Sequence, residues 1–200
     1  MLILGINGSP NKKGNTAFLI REALKEVEDA NIKVKLISTQ DALRGLDIPF
    51  CTACSNPCEG ICYRGKYLEK VYELLGDADG IIIGSPVYFG TVSAQLKAFW
   101  DMSRKLRKEN VLINTVGGVI TVGASHGQET ASKTIMDMML IQGMTIVGDG
   151  LYENTAGHYG VLSKKPSNKD NNAILRAKIL AKRVKEVAKI TKYLRDKEKK

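Results

Sequence analysis

Near its N-terminus the chain reads Leu2-Ile3-Leu4-Gly5-Ile6-Asn7, then Gly8-Ser9-Pro10-Asn11-Lys12-Lys13-Gly14, then Asn15-Thr16. The first six residues form an apolar run suited to a buried strand. The next seven are turn formers. Asn15-Thr16 opens an amphipathic stretch to about Glu28, with Phe18, Leu19, Ala23, Leu24 and Val27 at helical spacing. This order of strand, glycine-rich turn and helix is one that the chain repeats. Residues 33–38 alternate as a second strand, 80–84 (GIIIG) form a third, 118–122 a fourth and 144–147 a fifth. Helical spacing covers 66–75, 93–107, 129–141 and 171 to about 195, while 40–64 and 148–170 read as loops. Five alternations predict an α/β fold, a doubly wound parallel sheet with helices on both faces. No repeat or linker divides the chain, so residues 1–200 are expected to form one domain. It carries a cysteine-rich loop at 45–65 and a basic C-terminal helix at 171–197.

Composition bounds the rest. Apolar residues at 44% and charged residues at 26% exclude a largely disordered chain. No apolar run approaches the roughly 18 residues of a membrane helix. The apolar N-terminus lacks a basic leader segment and is cut off by Asn7-Gly8-Ser9-Pro10, so a cytoplasmic protein is expected. The net charge of +9 is local. Residues 164–200 hold 14 Lys/Arg against 4 Asp/Glu, which leaves 16 against 17 in residues 1–163. A neutral body with a basic end argues against nucleic acid as the partner.

In a doubly wound sheet the ligand sits beyond the carboxyl ends of the strands, and three loops there are unusual. Residues 8–16 join a glycine-rich turn to a helix N-terminus, an anion site in the making. Ser9, Asn11, Asn15 and Thr16 add neutral donors, and the spacing matches neither a Walker A loop nor a dinucleotide fingerprint. A plain turn with Thr16 as the helix cap is the other reading. Gly84-Ser85-Pro86-Val87-Tyr88-Phe89-Gly90 puts two aromatics on a loop, either to stack on a flat heterocycle or to pack on the next helix against Trp100. Gly123-Ala124-Ser125-His126-Gly127 lets backbone approach a ligand closely, with His126 either a proton-transfer group or a structural loop residue.

All four cysteines lie in Cys51-Thr-Ala-Cys54-Ser-Asn-Pro-Cys58-Glu-Gly-Ile-Cys62. A disulfide scaffold would spread them, whereas this set reads as the ligands of one metal centre. Four thiolates can hold a [4Fe–4S] cube or a tetrahedral zinc ion.

The three loops, together with Leu96-Lys97-Ala98-Phe99-Trp100-Asp101, resemble the NADPH-dependent FMN reductase group of the flavodoxin-like fold. With the cysteine set after the second strand, the chain is similar to the iron–sulfur flavoproteins. Those more often space their cysteines C-x2-C-x2-C-x5-C, where this chain has C-x2-C-x3-C-x3-C. The resemblance implies strand order 2-1-3-4-5 and FMN-dependent oxidoreductase chemistry that passes electrons between flavin and cluster. It implies FMN phosphate contacts from Ser9, Asn11, Asn15 and Thr16. Ring contacts would come from Pro86, Val87, Tyr88, Phe89 and Gly90, with the backbone of Ala124, Ser125, His126 and Gly127 nearby. It implies Cys51, Cys54, Cys58 and Cys62 as cluster ligands. Competing readings are a cluster-free NAD(P)H-dependent FMN or quinone reductase with a four-cysteine zinc site, and a pure electron carrier. The resemblance also implies a homo-oligomer, a dimer or tetramer, with Phe50, Ile61, Tyr63 and Tyr88 as interface residues. The basic helix is expected to carry an apolar stripe of Ile174, Leu175, Ala177, Ile179, Leu180, Val184, Val187 and Ile190. Its charged face is either a solvated surface or a dock for an acidic redox partner such as a ferredoxin.

Overall fold

A computed structural model describes residues 1–153 and 155–198. Strand β1 (Leu2–Asn7) leads into helix α1 (Asn15–Lys25), then β2 (Lys33–Ser38), a short α2 (Thr39–Ala42), the cysteine loop and α3 (Tyr67–Gly76). Strand β3 (Gly80–Pro86) follows, then α4 (Ala94–Asp101), α5 (Arg104–Lys108), β4 (Val116–Gly123) and α6 (Gln128–Ile141). The chain ends with β5 (Thr145–Ile146), β6 (Leu151–Tyr152), β7 (Thr155–Ala156), β8 (Val161–Lys164), α7 (Asn171–Ile190) and α8 (Lys192–Glu198).

The sheet is parallel in the order β2-β1-β3-β4-β5, with β8 as a further strand beside β4. β3 and β4 are buried along their whole length, which is why both read as continuous apolar runs. Alternation splits the core in two. Leu4, Ile6, Ile81 and Ile83 meet α3, α4 and α6 on one face, and Ile3, Ile82 and Ile120 meet α1 and α7 on the other.

Three departures from the sequence reading have local causes. The fifth strand position is filled in two pieces. β5 pairs with Val116–Gly117, the chain then leaves the edge, and β8 returns to pair with Ile120–Gly123. Residues 148–170 therefore hold a strand and the antiparallel pair β6–β7, not a bare loop. The excursion is anchored by Asp149, fully buried, which accepts from Arg176 Nε and from the His158 N–H. The helix expected over 93–107 breaks at Met102–Ser103, where the Ser103 hydroxyl donates to the Trp100 carbonyl (2.6 Å) and accepts from Gln142 Nε2 (2.7 Å). The basic helix ends at Ile190 and restarts at Lys192. Its buried face is Ala173, Ala177, Leu180, Ala181, Val184 and Ala188, so Leu175 and Ile190 stand exposed. Arg195, near the end of this basic segment, is buried and donates to Asp79 (2.9 Å) and to the Ala188 carbonyl (2.6 Å).

Where the edge strand resumes, Gly160 has φ +113°, and a Cβ there would collide with the Val119 carbonyl oxygen. Gly160→Ala should cost about 2–4 kcal/mol of stability, read from the urea midpoint. An unchanged midpoint would mean that β8 does not lie against β4 as described.

Candidate functional site

β1, β3 and β4 end on one rim of the sheet, and a single residue ties the loops after β1 and β3 together. Gly8 donates its N–H to the Gly84 carbonyl (2.8 Å), and its own carbonyl accepts the Ser93 hydroxyl (2.5 Å). Ser93 also caps α4 by accepting from the Leu96 N–H, and its own N–H donates to Ser85 Oγ. A Cβ on Gly8 would stand 2.8 Å from Leu96 Cβ and 2.9 Å from the Gly84 oxygen, so only glycine fits.

The first loop is folded by its own side chains. Asn7 Oδ1 accepts from Ser9 N–H, Ser9 Oγ from Asn11 N–H, and Asn11 Oδ1 from Lys13 N–H. Each of these oxygens accepts, which leaves the Ser9 O–H and the Asn11 amide hydrogens to donate. α1 then starts behind Gly14 with no capping side chain and no acidic residue in its first turn. Its first N–H groups and positive dipole end are free for an anion. Thr16 is not the cap. It is buried, with its methyl toward β3 at Gly84. Asn15 is turned to the C-terminal segment, where its Oδ1 accepts the Ser167 N–H (2.8 Å). Lys12 pairs with Asp41 of α2 (2.6 Å).

After β3, Val87 N–H donates to the Val122 carbonyl, and Tyr88 and Thr91 exchange two backbone hydrogen bonds. Phe89 (φ +49°) and Gly90 (φ +80°) form the tight turn between them, the pattern of a type I′ hairpin. Phe89 is fully exposed at its tip and Tyr88 is 41% exposed. Phe89 therefore does not pack on Trp100, which is buried and donates Nε1 to the Met138 carbonyl. Gly127 closes the third loop against Val87 and Gly90, and Ala124, Ser125 and His126 lie on the rim, all three exposed. Together the loops make an anion-suited helix start beside a flat, partly aromatic wall.

The cysteine loop leaves this rim after α2 but does not stay there. Cys51 packs against the core, and Cys51 and Cys58 line clefts of about 360 and 580 Å³ with Arg104, Arg107, Ile141 and Gln142. Those residues belong to α5 and to the C-terminal end of α6. The rim lies at the N-terminal end of α6, and a helix of 14 residues is about 21 Å long. The thiols are free, and Arg104 Nη1 reaches Cys51 Sγ at 3.9 Å. Ala53 N–H donates to the same sulfur at 3.4 Å, and Lys108 lies in the cleft beside Cys58, paired to Glu59. Burial pushes the Cys62 thiol up, and the charges of Cys54, Cys58 and Cys51 push it further. Like charges gathered in this way suit a cationic centre among them. Among the described residues, no three His, Cys, Asp or Glu side chains close round one point as the ligands of a metal ion would. The cations beside Cys51 and Cys58 come from α5, and the local motif does not reveal them. Tyr63 is buried under the loop, not exposed as expected. Its ring stands edge-on to Tyr72 at 5.0 Å, and burial pushes its phenol pKa well up.

The model of the NADPH-dependent FMN reductase family matches residues 1–157. The chain belongs to that family. Within it, the chain is 41% identical to an iron-sulfur flavoprotein from Methanocaldococcus jannaschii over 96% of this chain and 100% of that one. It is 33% identical to an iron-sulfur flavoprotein from Methanosarcina thermophila over 98% and 100%. It is thus a member of the iron–sulfur flavoprotein group, and an FMN-dependent oxidoreductase. A flavodoxin, WrbA-like protein from Agrobacterium tumefaciens shares the fold, with a TM-score of 0.65 at 19% identity over 94% of this chain and 97% of that one. No helix among the described residues is long and apolar enough to cross a membrane.

For this family member the tie through Ser93 is testable. Ser93→Ala leaves the buried Gly8 carbonyl without its hydroxyl donor and removes a helix cap. It should cost about 2–3 kcal/mol and loosen the loops after β1 and β3, read as a lower melting temperature and a raised Kd for FMN. Unchanged FMN affinity would show that the loops are set independently.

Proposed function

We propose that this protein passes electrons between FMN on the three-loop rim and a [4Fe–4S] cluster on Cys51, Cys54, Cys58 and Cys62. The rim supports the flavin half. Free N–H groups at the start of α1, with Ser9 and Asn11 as donors, suit the phosphate. Pro86, Val87, Tyr88 and Gly90 suit the ring, with the backbone of 124–127 at its edge. Thr16 turns its methyl to Gly84, which leaves its hydroxyl to add to the phosphate donors, and Asn15, whose Oδ1 is held by Ser167, contributes through its N–H groups. When bound, FMN exchanges electrons as pairs or singly, and the cluster exchanges them one at a time. The donor set supports the cluster half, with four free thiols, an N–H on Cys51 Sγ and arginine and lysine charge to balance an anionic centre. Free thiols also suit the reducing cytoplasm.

One observation supports a particular way for the two halves to meet. Within one chain, the cysteine clefts and the rim lie at opposite ends of α6, about 21 Å apart along its axis. Tunnelling falls steeply with distance, so the cluster of one copy would serve the flavin of another in a homo-oligomer. Exposed apolar groups stand at both ends, Phe50, Ile61, Leu140 and Ile141 by the cysteines and Tyr88 and Phe89 on the rim. The outside donor would be a reduced nicotinamide or a reduced ferredoxin, which steady-state turnover with each would separate.

Anaerobic purification with a flavin and metal inventory tests the proposal. About four irons and four sulfides per chain beside FMN, with broad brown absorbance, are expected. Zinc in place of iron overturns the cluster. Cys58→Ser should abolish the iron signal and leave FMN bound, because the rim is built without the cysteine loop. Loss of both cofactors would show the two sites to be one.

A further inference from the structure

Tyr63 and Tyr72 stack edge to face in the core, but their hydroxyls differ. Tyr72 Oη donates to the Phe99 carbonyl at 2.5 Å. Tyr63 Oη is buried and has no hydrogen-bond partner. A buried hydroxyl without a partner is costly and rare, and asks for an explanation. Its surroundings supply one. Tyr63 follows Cys62 directly, in a 3₁₀ turn that begins after Gly60 (φ +67°). A Cβ on Gly60 would stand 2.8 Å from Tyr63 Oη, so the chain between Cys58 and Cys62 passes directly over this hydroxyl. The ring is fixed from below by Tyr72 (5.0 Å, 83°), so the O–H is a fixed donor under the cysteine arch.

We propose that the Tyr63 hydroxyl donates a hydrogen bond to a sulfur of the cluster held by the 58–62 arch, and that this bond raises the cluster's reduction potential. This rests on reading the four cysteines as cluster ligands. Hydrogen bonds to the sulfurs of an iron–sulfur centre stabilise its more negative, reduced form. Tyr63 would thus be a positioning and tuning residue, one that makes the cluster a better electron acceptor for the flavin.

Tyr63→Phe keeps the ring and removes only the hydroxyl. The full chain, reconstituted anaerobically with iron and sulfide, is titrated electrochemically as wild type and as Tyr63→Phe. The cluster potential of the variant should shift negative while its iron content and the FMN potential stay unchanged. The cluster-free variant should melt no lower than the cluster-free wild type, because the lost hydroxyl has no partner there. A loaded variant with the wild-type cluster potential overturns the proposal while the cluster reading stands. A cluster-free variant that melts several degrees lower gives the hydroxyl a structural partner and overturns it too. A wild-type chain that takes up no iron removes the cluster reading and this proposal with it.

Discussion

The close approach at Gly8 is the constraint on which the rim depends. Its N–H is spent on β3, its carbonyl on the α4 cap, and the space where a Cβ would stand is filled by Leu96 and the Gly84 oxygen. One residue therefore fixes the anion loop after β1, the aromatic hairpin after β3 and the start of α4. Gly127, against Val87 and Gly90, adds the loop after β4. Asn7, Ser9 and Asn11 hold the first loop open with their oxygens, so the helix N-terminus behind it is left uncapped. A bound phosphate would complete what no side chain supplies.

A second constraint is distance. The cysteine arch is laid along the face made by α4, α5 and α6, and ends beside the cations of α5. That position shields Cys51 against the core and places positive charge round the thiols. It also takes them to the far end of the helix layer from the rim. Charge balance and reach pull in opposite directions within one chain, and in the proposed assembly a second copy would reconcile them.

The sheet was legible because β1 and β3 are buried on both faces and so read as unbroken apolar runs, with turn formers at their carboxyl ends. β8 was not. Val161–Lys164 is four residues in a polar, glycine-rich stretch, and it becomes a strand only because the edge of β4 at Ile120–Gly123 is open to it. The break at Ser103 was hidden because it depends on Gln142, a residue 39 positions away. The three loops and the four cysteines were legible as residue types. What each side chain does there was less so. Thr16 and Asn15 have donor chemistry, but packing also turns the Thr16 methyl to Gly84 and holds Asn15 Oδ1 on the Ser167 N–H. Tyr63 sits between polar and exposed neighbours, and only the turn after Gly60 sends its ring inward.

The central claim is that flavin and cluster exchange electrons between copies. It is tested most directly by photoreducing the flavin anaerobically and following the bleaching of the cluster across a dilution series, with sedimentation in parallel. The account predicts rapid bleaching in the assembled protein and its loss as the 21.9 kDa monomer takes over. A monomer that reduces its own cluster as fast as the assembly does would contradict it.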